Sequence, residues 1–358
     1  MKIIINKFSH KESLNKQRVL FSECFPETVD TAIIKESHYF WKFHSFPSNI
    51  HSYEFGAYSN NDLLGYYAAL PYQYLINSKK INIGMVCDVM TGVSARGKGV
   101  FTRMGEYSTN EMQKSNLTFT TGYPIRKEVI PGHLKVGWKI MHSLPLYVKF
   151  LSLKSLFKSK KIPFLSYPFD LCLNLYNSFL FKLTNKKAYR LEIYSSTEIE
   201  QISGIENFLT NWISEQSIAL NKNIEFLKWR LSALDKKYNI IVAKKDDRII
   251  GYSVFSKTLK EGIPCIAVLD TSFLKGYSDS TGLIYNSISE FAKERKIESI
   301  IIMASNSTFK KHNMRKSGFF KTPYQFSFIL KNLSKEYSNN FLKNEKNWHL
   351  MWIDSDNF

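Results

Sequence analysis

Ile83-Gly-Met-Val-Cys-Asp-Val-Met-Thr-Gly-Val-Ser-Ala-Arg-Gly-Lys-Gly-Val-Phe-Thr-Arg103 decides how this chain is read. Residues 81–91 read as a strand. Residues 100–114 have helical spacing, with Phe101, Met104, Tyr107 and Met112 as candidates for the buried side. Between them lies a glycine-rich turn. Gly97 and Gly99 lack Cβ, so the backbone there can curl and approach a ligand closely. The successive amides of Gly97, Lys98, Gly99, Val100, Phe101 and Thr102 would then point outward at a helix N-terminus. That is an anion cradle reinforced by the helix dipole, with Arg96 and Lys98 adding positive charge. The GxxxxGK[ST] spacing of a P-loop is absent. A dinucleotide GxGxxG would need glycine at position 102, which is Thr102.

Working outward, residues 3–8 read as a strand and 14–24 as a helix ending before Pro26. Residues 53–58 and 63–70, joined by the polar turn 59–62, read as a hairpin. A strand at 117–121 and a short helix at 131–136, closed by Gly137, follow the helix 100–114. The second half repeats this order. A hairpin spans 238–255, with strands at 263–269 and 299–304 and helices at 283–295 and 310–317, the last closed by Gly318. Landmarks recur at a similar offset: Trp41 and Gly65-Tyr66 in the first half, Trp229 and Gly251-Tyr252 in the second. The reading is an internal repeat. The expected units are 1–150 with the glycine-rich loop, a basic and apolar linker 151–190, and a degenerate copy over 191–358. The linker region 144–187 holds Lys158-Ser-Lys-Lys161 and an apolar run over 168–183. It reads either as a helix packed between the halves or as a basic amphipathic segment in weak contact with an anionic membrane surface.

An R-x-x-G-x-[GA]-like loop between a strand and a helix resembles the acetyl-CoA loop of the GNAT N-acetyltransferase superfamily. Arg96-Gly-Lys-Gly99 fits it, with Phe101 where Gly or Ala is usual. The order of elements over 53–138, ending in Gly137-Trp138, resembles the same family. Gly122-Tyr-Pro124 and the closing Asn347-Trp-His-Leu-Met-Trp-Ile-Asp-Ser-Asp356 look like a tandem-GNAT type found among bacterial surface-polysaccharide genes. The resemblance implies an α/β (α+β) fold class: tandem GNAT folds, each a mostly antiparallel mixed sheet flanked by helices. It implies that backbone at Val89, Met90 and Thr91 pairs with pantetheine and stabilises the oxyanion. It also implies a proton donor five residues before the Gly-aromatic pair, which is His133 here rather than the usual Tyr. Asp88 is the candidate general base, with Glu54 and Glu128 as alternatives. Arg126 stands near where the family often keeps an Asn that contacts CoA.

Composition fits this reading. The chain has 49 Lys+Arg against 31 Asp+Glu, a formal net charge of +18. Only nine of the 49 are Arg, which argues against base-reading and for a general attraction to polyanions such as CoA. Nucleic acid is not an expected partner. The four cysteines, Cys24, Cys87, Cys172 and Cys265, have no CxxC or zinc spacing, so no metal and no disulfide are expected and the chain reads as cytoplasmic. The expected function is acetyl-CoA-dependent N-acetylation of a small-molecule primary amine. An amino sugar, free or nucleotide-linked, is the acceptor that the polysaccharide resemblance implies. A FemABX-like aminoacyl transferase and a non-enzymatic basic binding protein are the alternatives. An intact RGKG loop argues against the former.

Overall fold

The structure is a computed structural model that describes residues 2–184, 189–234 and 236–356. The expected linker contact at 185–187 and the last two residues of the 191–358 unit lie outside the described residues. The first half runs β1 (Ile4–Lys7), α1 (His10–Cys24), α2 (Glu36–Phe43), β2 (Tyr53–Ser59), β3 (Asp62–Ile76), β4 (Lys79–Thr91), α3 (Val100–Lys114), β5 (Phe119–Gly122), α4 (Ile130–Lys135) and β6 (Lys139–Phe150). α5 (Lys154–Ser159) and α6 (Ser166–Thr184) follow. The second half runs β7 (Arg190–Ser195), α7 (Ile205–Ser214), β8 (Ile218–Leu220), α8 (Ile224–Arg230), β9 (Tyr238–Lys245), β10 (Arg248–Lys260), β11 (Ile263–Phe273), α9 (Ser280–Glu294), β12 (Ser299–Met303), α10 (Asn306–Lys311), β13 (Phe320–Asn332) and α11 (Asn339–Lys343).

One mixed sheet runs through both halves in the order β1-β2-β3-β4-β5-β13-β6-β12-β11-β10-β9-β7, with β8 added on β3. The pairs β4·β5 and β11·β12 are parallel and the other named pairs are antiparallel. The join is an exchange. β13, from the second half, pairs with β5, and β6, from the first half, pairs with β12. Residue 150, expected as a domain boundary, is therefore the end of a strand embedded among strands of the second half. The expected helix over 310–317 is broken. Asn313 sits at φ +48°, a left-handed residue that ends α10, and a single 3-10 turn, Met314–Ser317, follows.

Side-chain alternation along β3 and β4 builds two cores. Tyr66, Ala68, Leu70, Tyr72 and Tyr74 face a core shared by both halves, together with Ile81, Ile83, Met85 and Cys87. Tyr67, Ala69 and Val86 face the opposite way, toward α3 and its Val100, Met104 and Met112. A third core lies under α9. The halves meet at the two landmark tryptophans. Trp41 and Trp229 stack with centroids 5.3 Å apart and rings 12° from parallel. Each indole N–H donates to the other's backbone carbonyl, Trp41 at 3.0 Å and Trp229 at 2.9 Å. The two residues thus trade reciprocal bonds where the halves meet.

Candidate active site

The loop after β4 is built as its glycines require. A 3-10 turn, Val93–Ala95, leads to Gly97 at φ +72° and Gly99 at φ +74°, and α3 starts at Val100. A Cβ at either glycine would meet nothing within 4 Å. The glycines are demanded by the left-handed backbone, and the space in front of them is open. Among the described residues, the amides of Gly97, Gly99, Val100, Phe101 and Thr102 donate to no protein group, whereas the Lys98 amide donates to the Ala95 carbonyl at 3.4 Å. Five outward amides at the N-terminus of a 15-residue helix, beside exposed Arg96 and Lys98, fit a pyrophosphate. The Arg96 Nε donates to the Thr91 carbonyl at 3.3 Å, which ties the loop to the strand end.

Phe101, the departure from the small residue usual at this position, has a local accommodation. Its ring lies where a Cβ on Gly132 would be, with Phe101 Cε1 only 2.5 Å from that point. Gly132 thus makes room for the aromatic. The ring also meets His133 edge-on at 5.0 Å.

Beside the loop the sheet opens. β4 pairs with β5 only through Gly84, Met85 and Val86, against Thr120, Thr121 and Gly122. From Cys87 to Thr91 the strand keeps β3 on one side and has no strand on the other. Asp88, at φ +47°, is the extra residue of a bulge opposite the Tyr66–Ala68 stretch of β3. The bulge puts Met90 in the shared core and Val89 against the α3 side. The Thr91 hydroxyl is buried in this gap with no protein partner.

The second half has the corresponding parallel pair, Cys265–Val268 against Ser299–Ile302, but its gap is filled. Met351 forms a β-bridge with Ala304, and its Sδ accepts from the Thr271 amide at 3.3 Å. The first turn of α9 is buried, and Ser280 Oγ lies 2.8 Å from where a Cβ on Gly251 would stand. The Ser280 amide there already donates to the Tyr277 carbonyl at 3.0 Å.

Asp88 turns to the α2 side. Lys42 Nζ lies 2.8 Å from Asp88 Oδ1 and 2.9 Å from Asp356 Oδ2, all three side chains being largely buried. Burial alone would push the Asp88 carboxyl up. The Lys42 ammonium and then the Arg18 guanidinium outweigh it, and Asp88 is held below the usual carboxylate range. Burial opposes charge on Lys42 as well, but Asp356 and Asp88 hold it well above its ordinary value. Cys87, Asp88 and Asp356 cluster within 4.8 Å, a spacing a metal could use, and the Lys42 ammonium already supplies a cation there. Glu54 accepts from the hydroxyls of Tyr39 (2.6 Å), Tyr66 (2.6 Å) and Ser52 (2.8 Å). Glu128 is exposed between β5 and α4.

The structure brings the loop 96–102 and the strand edge 89–91 together and places the other expected residues around them. His133 is buried between Phe101 and Trp138, both with centroids 5.0 Å away, and its Nδ1 has no protein partner. Burial brings its pKa down to about 4, so the imidazole is neutral at pH 7. Arg126 is engaged elsewhere. It donates to the Cys24 carbonyl (2.8 Å), pairs with Glu27 (2.9 Å) and lies over the Phe25 ring. Cys24 also points its thiol at the Thr91 carbonyl, 3.6 Å away. The sequence reading missed Lys42 as the partner of Asp88, and Asp356 as the second carboxylate on Lys42. They are 46 and 314 positions from their bonded partners, and no local motif joins them.

Residues 7–141 match the family model described as an acetyltransferase (GNAT) domain. Among solved structures, a GCN5-related N-acetyltransferase from Anabaena variabilis superposes with a TM-score of 0.64 at 12% identity, covering 93% of this chain and 73% of that one. A conserved protein of unknown function from Enterococcus faecalis, described as a probable N-acyltransferase, gives 0.64 at 13% identity with the same coverage. A GCN5-related N-acetyltransferase from Kribbella flavida gives 0.58 at 10% identity, covering 92% and 70%. No curated protein sequence matches the chain. At such identities the structural likeness speaks to fold. Residues 7–141 are thus similar to a GNAT acetyltransferase domain, within a fold that the chain shares along nine-tenths of its length with GCN5-related N-acetyltransferase structures.

Proposed function

We propose that the protein is an acetyl-CoA-dependent N-acetyltransferase with a single catalytic site in its first half, the second half being a degenerate GNAT copy. The observation that carries this is the contrast between the two gaps. One is open beside a glycine loop with free amides, and the other is filled by Met351 over a buried helix start.

Acetyl-CoA supplies an activated acyl thioester. The amides of Gly97 and Gly99–Thr102 hold its pyrophosphate, with Arg96 and Lys98 beside them. The open backbone edge at Val89–Thr91 aligns the pantetheine and stabilises negative charge on the acyl oxygen as the acceptor nitrogen adds. Asp88, ionised throughout the working range, attracts the acceptor ammonium and takes its proton through water. As the C–N bond forms and the C–S bond breaks, the neutral His133 ring offers its N–H as a hydrogen bond to the departing thiolate, which takes its proton from solvent. The acceptor is a small primary amine, and an amino sugar or nucleotide-linked amino sugar of surface-polysaccharide assembly is our reading. The net charge of +18 suits a nucleotide-linked substrate. A cytoplasmic site of action follows from that substrate.

Isothermal titration with acetyl-CoA tests the reading. One micromolar site per chain is expected, whereas two sites or none would refute it. Thiol release measured across a panel of amino sugars and their nucleotide conjugates tests the acceptor class.

His133 gives a second test. His133→Ala is expected to keep CoA affinity and lose turnover by about 10–100-fold, while His133→Tyr retains much of the activity. A purely packing role predicts the opposite: a lower Tm with near-normal turnover per folded molecule. The pH dependence has a definite sign. A histidine whose pKa falls from 6.5 unfolded to about 4 folded stabilises above pH 6.5, and that contribution is lost as pH falls toward 4. The loss is on the order of 3 kcal/mol. The Tm gap between wild type and His133→Ala should therefore narrow between pH 7 and pH 4.

A further inference from the structure

The outward face of α6 is a surface that acetyl transfer leaves unused. One side of the helix faces the protein body. Asn177 and Leu180 are buried there, and the Asn177 amide donates to the Phe150 carbonyl at 3.0 Å. Asp170 lies on the same side, accepting from the Leu153 amide at 2.7 Å and the Ser152 hydroxyl at 3.0 Å. At 100° per residue the opposite pole carries Leu171, Leu175 and Phe179. They are 56%, 66% and 60% exposed, and Tyr167 extends the stripe toward the N-terminal end. A helix lying on a water-facing surface should be polar at this pole. A contiguous exposed apolar stripe marks an interaction site.

The charge around the stripe says what covers it. Lys158, Lys160 and Lys161 are exposed just before the helix and Lys182 near its end. Asp170 is the one acidic residue in 144–187, and its carboxylate is turned inward. An apolar stripe with lysines at both ends and no outward acid within 144–187 fits an anionic lipid surface. A second copy of the same face would set lysines against lysines. We propose that α6 docks the protein onto an anionic membrane surface, lying in the interface plane with Leu171, Leu175 and Phe179 inserted and the lysines over the headgroups. No described helix is long and apolar enough to cross a membrane, and the proposed contact is interfacial rather than membrane-spanning.

The test is co-sedimentation of the full chain with phosphatidylserine-containing vesicles and with pure phosphatidylcholine vesicles. At least about 10-fold stronger partitioning to the anionic vesicles is expected, falling as salt rises. Leu171→Ser, Leu175→Ser and Phe179→Ser combined should lose most of that partitioning while acetyl-CoA titration stays unchanged, which shows the variant is folded. No wild-type binding to anionic vesicles overturns the proposal, as does binding that the triple variant retains. A solution dimer that the triple variant dissociates, with no vesicle binding, also overturns it and assigns the face to a second copy.

Discussion

With valine at both Gly97 and Gly99, acetyl-CoA affinity is expected to fall at least about 100-fold, or roughly 2.7 kcal/mol of binding. Two effects act together. Both positions have φ above +70°, where a β-branched residue is strained by about 1–2 kcal/mol. The valine side chains would also project into the open space in front of the amides, where the pyrophosphate belongs. If the loop relaxes to relieve the strain, the amides turn away, and binding is lost by that route instead. Titration with acetyl-CoA and a melting curve on the same sample separate affinity from folding. A folded double variant that binds normally would place the phosphate site elsewhere. The Gly97→Ala single variant is milder and should show a smaller loss in the same direction.

Replacing Lys42 with Met should be the most destabilising single change near the site, at about 3 kcal/mol or more at pH 7. Removing one partner leaves buried carboxylates uncompensated. In the wild type the lowered pKa of Asp88 means its contribution is present above the unfolded value of 3.8 and is lost only as pH falls below it. In Lys42→Met the sign reverses. Burial and the facing Asp356 raise the carboxyl pKa, so the variant is relatively more stable at low pH and loses stability as pH rises. Melting temperatures from pH 4.5 to 8 should therefore diverge from the wild type with increasing pH. A pH-independent difference would mean that Lys42 acts by packing alone. Asp88→Asn should cost less, because Asp356 remains on Lys42 at 2.9 Å.

The loop was legible in the sequence because everything that makes it is contiguous. A strand, two glycines that must take positive φ and a helix start lie within about twenty residues. Local backbone sterics settle their conformation whatever surrounds them. The landmarks Trp41 and Trp229 were legible for a related reason, since each stands at a similar offset before a Gly-Tyr pair in its own half. The stack and reciprocal bonds between them were not legible, because they depend on how the halves meet.

Three things were decided by tertiary structure. The exchange of β6 and β13 was hidden. Pro145 and Pro323 interrupt those stretches as strand signals, and which edge a strand joins is set by partners more than a hundred residues away. The filling of the second gap was hidden because Met351 reaches Thr271 across 80 positions. The absence of an RGKG loop in the second half was visible in the sequence, but the closure of its gap was not. The Lys42–Asp88–Asp356 cluster was hidden for the same reason: its members become neighbours only when the end of the chain packs back onto the first half. Local sterics wrote the glycine loop into the sequence. The charges around it were assigned only in the fold, where burial makes each ion depend on partners that distant segments supply.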